Sequence, residues 1–577
     1  MKTITLSILM ASTLLATSSF SQNNDTDFFY VLNITDSSNI ENIIDGDTIY
    51  GSYIDTFYSP VWYSYDSLSI NEVTAKLHSC GPFFFNIQDS VYIPKKYVVP
   101  NTIENAERKS SIFSHNIWLG GIAESGALHL SSESYRQRGE SFWHGPIADT
   151  YDNTYDQTYN KVWKIDKDSI DYHIANYTNQ DYVVPQQIQQ WPANGNTQNG
   201  EAESLAPYYN VAGSWMYEPE LGDYPKIEGD QALFVMFNDD RIEPYSKLSS
   251  GNKIGAEIHA LFYAFDCDEV PSLNQSTFIN YTIYNRSVNN YTDFKIGINT
   301  DFDIGNSTND YVGCDTSLNM YYCYSESEDN SNANLYGQSP PAIGVKFLND
   351  EINNFLFYSN NMTNYGNPIN AHHVYNLMHS KWKNDSLLTF GEDGTNSSNP
   401  TTNFMYSSNP NDTTGWSMYQ ANINPSDMRG VGSLEGFTFE SGSHIVVNTA
   451  FIFAWDSTVS FLENANLLFE NSALIQDFYD GLISTNCTEF SGNQEVVDIP
   501  MINPPQYYST IIYPNPTADA FYLQSNYTGL VTVFNSLGQA IYSEEKTKNK
   551  IQVKSKHWTK GVYFVKVGNE VRKLVTK

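Results

Sequence analysis

The tightest constraint on this chain is a pair of prolines around one asparagine, Pro514-Asn515-Pro516. Each proline fixes φ and removes a backbone donor, so no sheet can run through from the preceding residues into those that follow. Beyond this point the sequence breaks into short runs in which β-branched and aromatic residues tend to alternate. They are Ala520 to Gln524, Leu530 to Asn535, Ala540 to Glu544, Lys550 to Lys554 and Gly561 to Val567, closing on Arg572-Lys573-Leu574-Val575. Turn formers separate them at Asn526, Gly529, Leu537-Gly538 and Gly568-Asn569. This pattern predicts a small antiparallel β-sandwich over 508–577, with a domain boundary before it.

Four features of this tail, in order, carry a resemblance. They are the start Tyr513-Pro514-Asn515-Pro516-Thr517, the segment Val531 to Gln539 with Gly538, the strand Lys560 to Val567 with Gly561, and the basic, β-branched end Arg572 to Lys577 with Lys573. The tail resembles the type A sorting domain of the Bacteroidota type IX secretion system. The resemblance implies that an outer-membrane translocon and its sortase read the domain and usually remove it. The cargo is then released or fixed to surface lipopolysaccharide.

At the other end, Met1 to Ser21 carries an early Lys2, an apolar core from Ile4 to Ala16 and small residues before Gln22. It reads as a cleaved secretory signal, its core falling short of the roughly 18 residues that span a bilayer. No other apolar run approaches that length, so no transmembrane segment is expected. The remainder of the 577 residues exceeds what one core of about 250 to 300 residues usually holds. Tandem β-sandwich domains are therefore expected: a β-rich ectodomain over 22–253, a sandwich with a long insertion over 254–483, and a linker over 484–507. Aromatics at 15%, chiefly 42 Tyr, against 17% charge favour an all-β fold. One helix stands out at Phe461 to Asp480, with apolar residues on a 3.6-residue face and Gly481 placed to end it. A second is indicated near Ala371 to Trp382, inside an Asn-rich stretch that is long for a loop.

Charge is divided unevenly. The tail holds ten Lys and Arg against four Asp and Glu, a net of +6, whereas 22–507 holds 20 basic and 61 acidic groups, a net of −41. Such a surface repels nucleic acid and anionic membrane, and it suits solubility or divalent cations. Five cysteines cannot all pair, and no C-x-x-C occurs; Cys314 and Cys323 are the expected disulfide.

The most distinctive stretch of the mature chain reads Ile117-Trp118-Leu119-Gly120-Gly121, Ser134-Tyr135-Arg136-Gln137, Phe142-Trp143-His144-Gly145-Pro146 and Gly222-Asp223-Tyr224-Pro225 through Gly229-Asp230-Gln231. These segments resemble a functionally uncharacterised ectodomain of type IX cargo, with Ser141 where an acidic residue is common. Trp118, Trp143, Trp163 and Trp191 are expected to pack over tight turns rather than to stack on sugars. Arg136 and Arg138 are candidate carboxylate clamps, although a structural ion pair is the commoner use.

The sharpest chemical candidate is Asp301-Phe302-Asp303-Ile304-Gly305 with Asp310 and Asp315. A hard cation such as Ca2+ wants six to eight oxygens from a sharply turning loop, and Asp301, Asp303, Asp310 and Asp315 would supply carboxylates. The spacing is not that of an EF-hand, since Gly305 and Val312 stand where acidic residues would be needed. The competing reading is an acidic turn between strands. His372, His373 and His379 lack a zinc-site spacing, and Asp239-Asp240 and Asp266 to Glu269 are paired carboxylates whose spatial separation decides any glycosidase role. No nucleophile-elbow or phosphate-loop motif is present. Five Asp-Ser/Thr-hydrophobic triplets, at Asp47, Asp66, Asp89, Asp168 and Asp385, are similar to the Bacteroidota O-glycosylation acceptor.

Together these readings predict a secreted or cell-surface protein exported by the type IX system. Binding or adhesion, with glycans as the candidate ligand, comes first. A polysaccharide hydrolase is the alternative, and a purely structural surface role the third.

Overall fold

The computed structural model describes residues 64–80, 83–85, 97–101, 109–133, 141–241, 252–326, 336–483, 485, 487–488 and 511–577, except 526, 536–538, 549 and 568–569. The expected signal sequence, Arg136, Arg138 and the triplets at Asp47 and Asp89 lie outside the described residues. Two compact units divide the chain, Met1–Gln494 and Glu495–Lys577.

The large unit is built on two antiparallel sheets. The first follows the order Tyr65–Leu68, Thr74–His78, Tyr97–Val98, Ser110–Ala123, Tyr291–Phe302, Met428–Phe439, Asn354–Ser359, with Leu128–Ser131 also paired to Ser110–Ala123. The second runs Asp310–Asp315, Met320–Ser325, Ala342–Phe347, His444–Ala454, Ser276–Asn285, Ala256–Ala264, Gln231–Asn238, Trp143–His144, with Trp163–Asp166 also paired to Gln231–Asn238. Rings fill the space between them. Phe83 meets Phe262 at 4.7 Å between centroids, His115 meets Phe451 at 4.8 Å, and Tyr321 stacks on Phe355 at 5.3 Å. Such pairs add to the large area each ring buries. Gly432 is required at this interface, because a Cβ there would lie 2.6 Å from the Tyr321 ring.

Both outer sides are covered. The helix Phe461–Tyr479, capped by Ser460 and Glu463 in a reciprocal box, buries Ala465, Leu468, Ile475 and Phe478. It lies on the second sheet, with Phe469 against Tyr322 and Leu468 over Gly344. The first sheet is covered by the Asn-rich stretch, whose helix Ala371–Leu377 is followed by Met378, with Met378 and Tyr375 over Gly120 and Gly297. Within that stretch Asn361, Asn384, Asp393, Asn396, Asn409 and Asp412 each accept the N–H two residues on. A side chain that closes its own turn explains how so long a connection holds a defined path.

Strands pair across the expected 253/254 division: Gln231–Asn238 with Ala256–Ala264, and Ser110–Ala123 with Tyr291–Phe302. One core cluster runs from Leu68 to Phe478. The disulfide expectation is corrected. Cys267 bonds Cys487 with 5.5 Å between Cα atoms, while Cys314 and Cys323 are unbonded and buried. Register explains this, since Cys314 faces Tyr321 and Cys323 faces Val312 across neighbouring strands. Diagonal positions stand roughly 7 to 8 Å apart, beyond a disulfide's reach of about 4 Å between Cβ atoms. Cys487, with Thr488 donating to Asp230, also ties the first residues of the expected 484–507 linker to the large unit.

The small unit carries every strand expected of it. Ile511–Tyr513, Ala520–Gln524 and Lys550–Lys554 form one sheet, and Ala540–Lys546, Gly529–Asn535, Gly561–Val567 and Glu570–Thr576 the other. Its core is largely aliphatic: Phe521, Leu523, Val531, Val533, Val553, Tyr563, Val565, Val567 and Leu574.

Candidate functional site

The acidic candidates separate along one strand. Asp301 lies at the end of Tyr291–Phe302 and Asp303 just beyond it, both buried. Asp310 opens the strand Asp310–Asp315 and accepts the Ile304 N–H at 3.3 Å. Asp315 closes that strand, roughly 16 Å away at strand rise. There it caps a turn, accepting from Ser317 and Leu318. Asp315 therefore does not share a site with Asp301 and Asp303. Its place is taken by Asp427, which sequence reading missed: carboxylate oxygens of Asp301, Asp303 and Asp427 lie within 4.8 Å of one another. Asp427 is 126 positions from Asp301 and is brought in by the strand Met428–Phe439, which pairs with Tyr291–Phe302.

Three carboxylates at this spacing are hard-oxygen donors of the kind Ca2+ takes. A cation is already among them, however. Arg429 holds Asp301 at 3.1 Å and Asp427 at 2.6 Å, with both Arg429 and Asp301 almost fully buried. A metal ion would have to share those oxygens with the guanidinium. The neighbouring Cys323 thiol is pushed well up by burial and then by Asp310, Asp303 and Asp301, so it stays protonated and inert.

The other chemical candidates resolve into structural roles. His372 pairs with Asp385 at 2.6 Å and His379 with Asp293 at 3.2 Å, while His373 lies beside Asn370, so the three imidazoles serve separate partners. Buried Asp239 accepts from Ser131, from Ile254 N at 2.7 Å and from Ala256 N at 2.6 Å, bracing a strand entry. Asp240 is held by Lys253 at 2.6 Å and the Tyr151 hydroxyl at 2.9 Å. Asp266, Asp268 and Glu269 stand at the surface.

Trp118, Trp143, Trp163 and Trp191 are all buried, as the packing reading expects. Exposed rings of the large unit lie elsewhere, singly at Tyr65, Tyr365 and Phe390 and as a group at Tyr172, Tyr209 and Trp215. The strands Tyr208–Tyr209 and Tyr224–Pro225 form a two-stranded hairpin in which the rings of Tyr209 and Tyr224 lie 4.9 Å apart. The loop between them is fixed by Asn210, which donates to Ser214 O and accepts from Gly213, and by Asp223, which accepts from Ala212 and Glu218. At its tip Trp215 is 67% exposed, beside half-exposed Met216 and Val211. Tyr172, on the helix Lys167–Asn176 that packs on this hairpin, is 57% exposed. Sequence reading did not single out Trp215. Its available signal was a tryptophan directly after Gly213-Ser214, in a turn-forming run that opens with Asn210.

In the small unit the separated motifs become one structure. The Asn515 amide donates to Lys573 O at 2.8 Å and accepts from Val575 N at 2.9 Å. Thr517 N donates to Val575 O, and Lys577 N donates back to Thr517 O, both at 2.8 Å. The Tyr513–Thr517 turn thus clasps the terminal strand. Tyr513 lies under the Lys550 ammonium, 4.9 Å from its ring centre. Gly561 opens its strand, with its N–H donated to Thr576 Oγ1, and the Lys573 side chain is exposed; Gly538 lies outside the described residues.

Residues 511–577 match the family of secretion system C-terminal sorting domains. No curated protein matches the chain. Among solved structures, a polysaccharide lyase aligns at 8% identity over 62% of this chain and 37% of its own, with a TM-score of 0.19. The chain thus spans little more than a third of that structure's length, and the score is too low to assign a shared fold. No helix among the described residues is long and apolar enough to cross a membrane. What addresses the protein is the clasped tail, and it makes this chain a cargo protein of the type IX secretion system, secreted or attached at the cell surface.

Proposed function

We propose that the large unit is a non-catalytic binding module for surface or extracellular glycans. The observation that carries this is the exposure of Trp215, the most exposed aromatic ring among the described residues, on the loop of a braced hairpin whose strands bring Tyr209 and Tyr224 together. A ring left in water forgoes about 1.5 to 3 kcal/mol of burial, a cost that binding recovers. Sugars present C–H faces to such rings and hydroxyls to amides, and a neutral glycan is not repelled by a net charge of −41 over 22–507. The paired carboxylates that a polysaccharide hydrolase would use are committed to structural partners or stand at the surface, which favours binding over cleavage.

A glycan array probed with the purified chain tests this, with bound glycans analysed by mass. Selective retention is expected, falling about tenfold or more in Trp215→Ala. Since Trp215 is exposed, its melting temperature should stay within about a degree of the parent. Shortened glycans would turn the reading to a hydrolase, and retention unchanged in Trp215→Ala would remove the hairpin as the site.

A further inference from the structure

The four-stranded sheet of the sorting tail has an outward side that its own core does not use. Along Gly529–Asn535 and Gly561–Val567 the inward residues are Val531, Val533, Tyr563, Val565 and Val567, all buried. Their alternates point the other way. In the antiparallel register Phe534 pairs with Phe564, Phe564 with Lys573, Val562 with Val575, and Thr532 with Lys566. Paired residues share a face, so these form one cross-strand surface. A sheet with one side in water ordinarily places polar residues there. Here Leu530 is 54% exposed, Phe564 41% and Val562 36%, with exposed Lys566 and Lys573 beside them.

We propose that this outward face, centred on Phe564 and Val562, is where the type IX export machinery grips the tail. The partner is a protein surface with an apolar strip flanked by carboxylates. Charge supports that occupant: the tail is +6 while 22–507 is −41, and the two lysines on this face stand next to the apolar rings rather than away from them. The clasp supports it too. Asn515 fixes the backbone of Lys573 and Val575, so the strand that completes the face is held at its free edge. The exposed rings would anchor the contact, and the lysines would steer and orient it.

The inference rests on the sorting tail alone and is independent of glycan binding. The test is export of the full chain from a host with a working type IX system, comparing the amount outside the cell with that retained. Phe564→Asp and the strand-compatible Phe564→Thr are expected to reduce export by about tenfold or more, and Lys573→Glu by a few-fold. Limited proteolysis and thermal melts of the retained protein separate this from misfolding, with Val533→Asp as the misfolded control, since Val533 is buried. Export of Phe564→Thr at the parental level overturns the proposal. So does a parent that sediments as a dimer and a Phe564→Asp variant that is monomeric yet normally exported, because the face would then join two copies of this chain.

Discussion

The two units reach the same two-sheet design by opposite means. In the tail, seven strands pair within 511–577 around a small, mostly aliphatic core. In the large unit, partners lie far apart in sequence: Ser110–Ala123 finds Tyr291–Phe302, and the Tyr336 hydroxyl reaches Val99 O at 2.8 Å. Its sheets meet through interlocked rings, and a disulfide closes a 220-residue separation. The tail is an independent, locally specified device, whereas the large unit depends on long-range closure, which carries a greater loop-entropy cost.

The sharpest break between them is redox. All five cysteines precede the tail, so replacing Cys267 and Cys487 by Ser should cost the large unit about 5 kcal/mol in the chain-entropy picture and leave tail melting unchanged. Calorimetry of the two variants checks this, and equal losses in both units would contradict the independence of the tail.

Acid comes next. His115, wholly buried between the sheets and hydrogen-bonded to Tyr281 at 2.8 Å, has its pKa pulled down to about 3 by that burial. The folded state therefore keeps His115 neutral while the unfolded chain takes up a proton below about pH 6.5. Stability is present above that pH and is lost as pH falls toward about 3. Between pH 6.5 and 5 the loss should be about 2 kcal/mol. Urea melts at the two pH values read it, and His115→Gln should flatten the slope in the large unit alone.

Asn515→Ala probes the tail from the other side. Removing both bonds to the terminal strand should cost the small unit about 1 to 2 kcal/mol with no change in the large one. Smallest of all is the effect of calcium. Arg429 already joins two of the three clustered carboxylates, so chelator should leave the melting temperature of the large unit unchanged within about a degree. A chelator-sensitive melt that Asp427→Asn abolishes would instead establish a cation there.

Local patterns carried far. The turn at Pro514-Asn515-Pro516, the alternation of Val531, Val533 and Val565, and the apolar face of Phe461–Tyr479 are read within a few residues of themselves. The candidate site was half legible for the same reason. Asp301 and Asp303 follow a visible strand, but Asp315 occupies the far end of its own strand and Asp427 comes from a segment whose pairing no nearby residue announces.

By itself the sequence determined an exported, acidic, β-built protein with a basic sorting tail, because period-2 alternation, proline geometry and net charge are properties of neighbours and sums. Tertiary structure alone decided that Cys267 meets Cys487, that strands on both sides of residue 253 share one core, that Arg429 sits among the clustered carboxylates, and that Trp215 stays in water while Trp118 does not. Each of these depends on which distant strands pair, and that choice is made by the packing of the whole chain rather than by any local run of it.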